Sequence, residues 1–256
     1  MIYDIRQVIS FVEKLPAPEK GYCYLLMLTM RSRFVKERLD IKVPDTVLER
    51  EIVAWYHYEW RDVYIRKVRK LSILGENVSR IYRITKDTLS FPVPQGSVAI
   101  MAVINPSNMV KALASLINEA INKVFAGAEL RDIVRVRKRW FANLHKYSRR
   151  IFHTIDVDKA DLLIDVLKEV TKYTEPFMVI KTVRGYHVII HLPSLGENAP
   201  SYFKEFVQKW LNEARKEYVD KDGKPLIEYL KQGLEPVPGT IYGDSEVKMV
   251  EWEGLL

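Results

Sequence analysis

The stretch IFHTIDVDKADLLIDVLKEVTKYTEPFMVIKTVRGYHVIIHL, residues 151–192, decides how the chain folds. Its opening is apolar and rich in β-branched residues up to a pair of aspartates, which predicts a strand over 151–158. LLIDVLKEV then repeats its apolar positions at three and four, predicting a helix over 159–171. Two more apolar runs, 176–182 and 186–192, flank a short turn at Gly185 and predict a hairpin. A β-α unit is thus followed by two paired strands. The two-residue period of a strand puts Ile151, His153, Ile155 and Val157 on one face and Phe152, Thr154, Asp156 and Asp158 on the other. In the last strand Tyr186, Val188, Ile190 and Leu192 alternate with His187, Ile189 and His191.

Asp156 and Asp158 therefore share a face at the end of an apolar strand. Two such anions repel one another, and burying them costs free energy unless a cation compensates. A divalent metal held by oxygen ligands does this, and Mg²⁺ or Mn²⁺ suits such a donor set. Two of these ions about 4 Å apart activate a hydroxyl and stabilise a leaving pyrophosphate. The competing reading is that both acids cap the following helix. If the hairpin joins the same sheet, His187 meets the carboxylates, and Lys181 and Arg184 bring cations that grip phosphate oxygens.

Outward from this stretch, an amphipathic helix is expected over 201–218, then the polar turn DKDGKP, a short helix at 226–231 and late strands at 237–242 and 247–252. Upstream, residues 97–104 read as a strand and 107–125 as a helix. A basic helix follows over 130–150, with Arg131, Arg135, Arg137, Lys138, Arg139, Lys146, Arg149 and Arg150 against the single acid Asp132. Phosphate neutralisation by such a run gives salt-sensitive binding to nucleic acid, whereas a solvated face does not. The first ninety residues read as helices, the clearest running from Pro44 to Gly75 with Thr46 and Glu49 at capping-box spacing. Its aromatics Trp55, Tyr56, Tyr58, Trp60 and Tyr64 either pack in the core or stack bases. FPVPQGS, residues 91–97, punctuates the chain. The expectation is a helical lobe over 1–91 and an α/β (α+β) domain over 92–256, its strand-helix-strand-strand-helix-strand order giving an RRM-like or ferredoxin-like sheet covered by helices.

At 256 residues with 48% hydrophobic and 29% charged positions, the chain can bury a full core, and disorder is excluded for most of its length. No apolar run suits a spanning helix and the charged N-terminus is unlike a signal peptide, so a cytoplasmic protein without membrane contact is expected. The one cysteine, Cys23, forms no internal disulfide and no zinc site. The net charge of +7 is uneven: residues 1–150 carry 27 Lys and Arg against 15 Asp and Glu, a net of +12, and residues 151–256 carry 13 against 18, a net of −5. A basic half beside an acidic half suits a polyanion on one side and carboxylate-bound cations on the other, although a lysine-rich solvated surface gives the same count.

TIDVD at 154–158, TVRGYHVII at 182–190 and PGTIYG at 238–243 resemble, in order and spacing, the three motifs of the archaeo-eukaryotic primase superfamily, which includes primase small subunits and the primase-polymerases of plasmids and viruses. The resemblance covers residues 97–252. It implies a primase-type catalytic core active in DNA replication, in which Asp156 and Asp158 bind Mg²⁺ or Mn²⁺ and His187 contacts the phosphates of an incoming nucleotide. A third metal-binding acid is expected after the histidine strand, with Glu228 and Glu235 as candidates. Nucleoside triphosphates, a single-stranded DNA template and a helicase or primase large subunit are the implied partners, in an archaeal or mobile-element-like setting. Arg135, Arg137, Lys138, Arg139, Arg149 and Arg150 would track the template. Two other classes remain open: a metal-dependent nuclease, for which Glu246-Val247-Lys248 supplies an acid-x-lysine pair, and a non-catalytic nucleic-acid-binding factor that keeps the fold.

Overall fold

Residues 22–30, YCYLLMLTM, are apolar at nearly every position and form β1 (Tyr22–Met30), a central strand with neighbours on both edges. The computed structural model describes residues 1–127, 129, 140, 144–230 and 233–256. Before β1 lies α1 (Ile5–Lys14), capped by the Asp4 carboxylate accepting from Arg6 N–H; after it come α2 (Ser32–Leu39) and β2 (Thr46–Ala54). Helix α3 (Trp60–Glu76) buries Trp60, Tyr64, Val68, Leu71 and Gly75 as one stripe. A helical turn, α4 (Val78–Ile81), and a small hairpin of β3 (Arg83–Lys86) and β4 (Leu89–Pro92) lead to β5 (Val98–Asn108), buried from Val98 to Ser107, and to α5 (Met109–Phe125).

The first ninety residues are therefore not a helical lobe. β1 pairs antiparallel with both β2 and β5, so the first sheet, ordered β10-β5-β1-β2 with β10 at Leu234–Pro236, runs across the expected boundary at residue 91. The helix expected from Pro44 to Gly75 is a strand, a loop and a helix. Its first part misleads because β2 carries a bulge: Leu28 pairs with Glu49 but Thr29 pairs with Val47, leaving Leu48 over. One extra residue lets Val47 and Ile52 reach one apolar cluster while Leu48 and Val53 reach another. Apolar residues five apart thus share a face, which hides the two-residue alternation of a strand.

The second sheet, in the order β13-β7-β8-β6-β9, comes from the later half. It contains β6 (Phe152–Val157), β7 (Met178–Lys181), β8 (Tyr186–His191), β9 (Ile227–Leu230) and β13 (Lys248–Val250). Helix α6 (Leu163–Val170) follows β6 as expected; a helical stretch from Ala199 to Glu217, wound as a π-helix over Tyr202–Trp210, follows β8. The segment at 226–231 expected to be helical supplies β9. The late strands are shorter than expected: β10 (Leu234–Pro236) crosses to the edge of the first sheet, β11 (Ile241–Tyr242) and β12 (Ser245–Glu246) form a tight hairpin, and β13 returns to the second sheet.

All strand pairing among the described residues is antiparallel and the fold is mixed α+β. One face of the second sheet packs Ile155, Val157, Val188 and Ile190 beneath Leu163, Val166, Tyr202 and Phe206. The other face adds Phe152, Ile180 and Ile189 to a larger core shared with Leu26, Leu28 and Ile100 of the first sheet and with Phe11 and Tyr64 of the helices. Asp156, two residues from Thr154 and four from Phe152, lies on this second face, so it looks toward the first sheet. No helix among the described residues is long and apolar enough to cross a membrane.

Candidate active site

β6 sits between β8 and β9, and its register places Asp156 directly opposite His187. The expected common face follows: Asp156 Oδ1 is 3.4 Å from His187 Nε2. Asp158 lies one residue past the strand, fixed by its N–H donating to the Leu226 carbonyl at 2.8 Å. The hairpin turn between β7 and β8 is closed by Thr182 N–H donating to the Gly185 carbonyl at 2.8 Å. Gly185 is required there, because a Cβ would stand 1.8 Å from the Val157 carbonyl oxygen, backbone against backbone. The close approach brings the hairpin tip, with Thr182 and Arg184, beside the two aspartates.

These side chains line a cavity of about 470 Å³ between the sheets. Asp156, Asp158, Thr182, Arg184 and His187 form one wall, and Met101, Leu234 and Pro236 from the first sheet contribute to the other. Further cations line it. Arg31 and Arg33 come from the junction of β1 and α2, and Lys224 from the turn before β9. Lys224 Nζ lies 3.2 Å from Asp158 Oδ2, and Arg31 Nε lies 3.2 Å from Asp45 Oδ2. Arg33 has no carboxylate partner among the described residues. Its guanidinium lies over the rings of Phe34, at 4.5 Å, and Tyr242, at 4.9 Å, and its buried Nε has no hydrogen-bond partner. Burial lowers its pKa, Tyr242 opposes that, and nearby Arg184 and Arg31 add to it. Tyr242 is delivered by the Pro-Gly segment, where Gly243, at φ +66°, packs so closely on Phe34 that a Cβ would meet its ring at 2.3 Å. An Arg-x-Arg placed just after an apolar strand was the one available sequence signal.

Asp156 has a raised pKa, chiefly from burial, with His187 opposing and Asp158 and Glu235 adding to it. His187 is also raised: burial alone would lower it, but Glu235 and the two aspartates outweigh that. Glu235 is fully buried, accepts from the Thr154 hydroxyl at 2.6 Å and lies 2.5 Å from His187 Nδ1. It therefore orients the imidazole so that Nε2 faces Asp156 and the cavity.

Of the two candidates for a third acid, then, Glu235 is engaged by His187 and Thr154, and Glu228, although opposite Asp156 in β9, lies 3.9 Å from Arg215; neither lines the cavity. Lys181 departs from expectation. It pairs with Tyr186 while Ile180 pairs with His187, so alternation turns it to the sheet face opposite His187. Glu246 and Lys248 pair with each other at 2.6 Å and lie outside the cavity. Arg135, Arg137, Lys138 and Arg139 lie outside the described residues. Arg149 and Arg150 are exposed, and Arg149 Nη1 contacts Glu19 Oε1 at 2.5 Å.

The chain matches no family model, no curated protein and no solved structure. Among the described residues no three His, Cys, Asp or Glu side chains gather about a metal position. Asp156 and Asp158 remain a fit for Mg²⁺ or Mn²⁺, which are commonly held by one or two carboxylates and completed by substrate phosphates and water. Arg33 and Arg184, which have no carboxylate partner among the described residues, line the same cavity.

Proposed function

We propose that this chain is a nucleotidyltransferase of the primase or primase-polymerase kind, joining a 3′ hydroxyl to the α-phosphate of a nucleoside triphosphate with release of pyrophosphate. One observation carries the reading: two carboxylates and a cluster of arginines, contributed by different sheets, line a single cavity of nucleotide size. A polyanion bound with its own divalent cation needs both kinds of group at once, cations for the outer phosphates and acids for the metal. Asp156 and Asp158 would hold Mg²⁺ or Mn²⁺, which when bound lowers the pKa of an attacking hydroxyl and screens the leaving phosphates. Arg33 and Arg184, free of carboxylate partners among the described residues, bind triphosphate oxygens, and Arg31 supports them from the same wall. His187, locked by Glu235, donates from Nε2 when protonated and holds the ligand against the Asp156 side. Its raised pKa, set by Glu235 and the two aspartates against burial, favours the protonated form.

The experiment is nucleotide incorporation on a single-stranded template with Mg²⁺ or Mn²⁺. Asp156→Asn is expected to abolish product while leaving nucleotide binding measurable. Arg33→Gln is expected to raise the KM for nucleotide by about tenfold or more, the scale of a lost charge-assisted hydrogen bond. Undiminished synthesis by Asp156→Asn rejects the assignment. Scission of the template in place of synthesis reassigns the site to a nuclease, and nucleotide-independent oligonucleotide binding without either activity points to a non-catalytic factor.

A further inference from the structure

Three aromatic rings at the far end of the first sheet have no use in the cavity. Between β2 and α3, Trp55 is 41% exposed, Tyr56 61% and Tyr58 99%. The loop that carries them is held in place, with Trp55 N–H donating to the Tyr22 carbonyl at 3.0 Å and His57 Nδ1 within 3.0 Å of the Ala54 backbone. Trp55 and Tyr56 meet edge to face at 5.9 Å between centroids, and the His57 ring lies 4.6 Å from Tyr56, while Tyr58 is almost wholly exposed. Large rings presented side by side to water on an anchored loop are a binding feature, since the fold gains nothing from leaving them uncovered.

Their surroundings indicate the occupant. The turn at 19–21, the start of α5 and the segment after residue 144 converge on this end of the sheet: Met109 N–H donates to the Gly21 carbonyl at 2.8 Å, Arg149 N–H to the Pro106 carbonyl at 2.9 Å, and Ser107 bridges to Ser148. Those elements bring exposed Lys20, Lys111 and Lys146, and Arg61 opens α3 beside the loop. Glu59 and Asp62 are the neighbouring acids, and Glu19 is engaged by Arg149. Stacking rings with cations around them match a flexible polyanion that carries planar bases.

We propose that the loop at residues 55–58 is a stacking platform for single-stranded nucleic acid, with the surrounding lysines and Arg61 holding its phosphates. The platform is distinct from the cavity. Tyr22 opens β1 and Arg31 follows its last residue, so the two sites are roughly 30 Å apart at the rise of a β-strand. A strand bound at both would need several nucleotides between them.

The test is the affinity of the full chain for a short, fluorescently labelled oligothymidylate, read by anisotropy beside heparin, a polyanion without bases. The Tyr56→Ala, Tyr58→Ala double variant is expected to bind oligothymidylate about tenfold or more weakly and heparin as before, with Tyr56→Trp retaining affinity. Both tyrosines are exposed, and an unchanged melting temperature would show that the variant is folded. Asp156→Asn and Arg33→Gln are expected to leave oligothymidylate affinity intact, which separates this inference from the cavity chemistry. Oligouridylate in parallel distinguishes RNA from DNA as the preferred strand. Unchanged oligothymidylate affinity in the double variant, an equal loss for heparin, or a loss confined to the cavity variants would each overturn the proposal.

Discussion

At residue scale, the two histidines of the second sheet show how position decides chemistry. His153 and His187 lie on neighbouring strands but face opposite ways. His187 is raised by the acids around it, whereas His153, packed among Tyr202, Phe203 and Tyr229, is pushed down to about 4 by burial and secondarily by Arg150. A histidine kept neutral in the fold stabilises it fully above its ordinary value of 6.5 and progressively less as pH falls toward about 4, because the unfolded chain takes up the proton first. The shift corresponds to about 3 kcal/mol over that window. Urea midpoints at neutral and mildly acid pH should therefore diverge more for the wild type than for His153→Phe; equal pH slopes in the two proteins would show that His153 has no part in acid lability. The partnership of Asp156 with His187 was legible in the sequence because strand alternation fixes which side chains share a face. Arg31 and Arg33 were not, since their place beside Arg184 depends on how two sheets meet, and no local period encodes that.

At the scale of elements, α3 is packed against α1 and β1 through rings: Phe11 meets Tyr64 at 6.4 Å, and Tyr24 meets Tyr64 at 6.1 Å, both edge to face. Tyr64 is fully buried and its hydroxyl has no hydrogen-bond partner among the described residues. Leaving a hydroxyl unsatisfied in the core costs about 1–3 kcal/mol, while its ring contributes the packing. Tyr64→Phe is accordingly expected to raise the urea midpoint by an amount equivalent to about 1 kcal/mol without altering the cavity; a lower midpoint would mean that the hydroxyl is satisfied in solution. This helix was recognisable from its stripe of apolar positions, but its start was not. The bulge at Leu48 gives β2 apolar spacings that mimic a helix, and only the pairing with β1 reveals them as a strand. The short segment of β9 was equally ambiguous, because four residues carry too few repeats to separate the two periods.

For the whole molecule, the sheet that crosses residue 91 makes the two halves interdependent. β5 is buried from Val98 to Ser107 and pairs along its length with β1, which belongs to the first ninety residues. β10 and the segment around Val237 return from the C-terminal end to pack on β5, and Ile2 bridges to Thr240. The cavity inherits this arrangement, since Arg31, Arg33 and Met101 face Asp156 and Arg184 only when both sheets are present. A fragment of residues 92–256 would leave one edge of β5 unpaired and expose the apolar face that covers Leu26 and Leu28, conditions that favour aggregation over folding. Produced alone, it is expected to lack a cooperative thermal transition. Co-production with residues 1–91 should restore both the transition and nucleotide binding. A cooperatively melting 92–256 fragment that bound nucleotide by itself would show that the second sheet forms the site unaided, and that the arginines of the β1–α2 junction are dispensable to it.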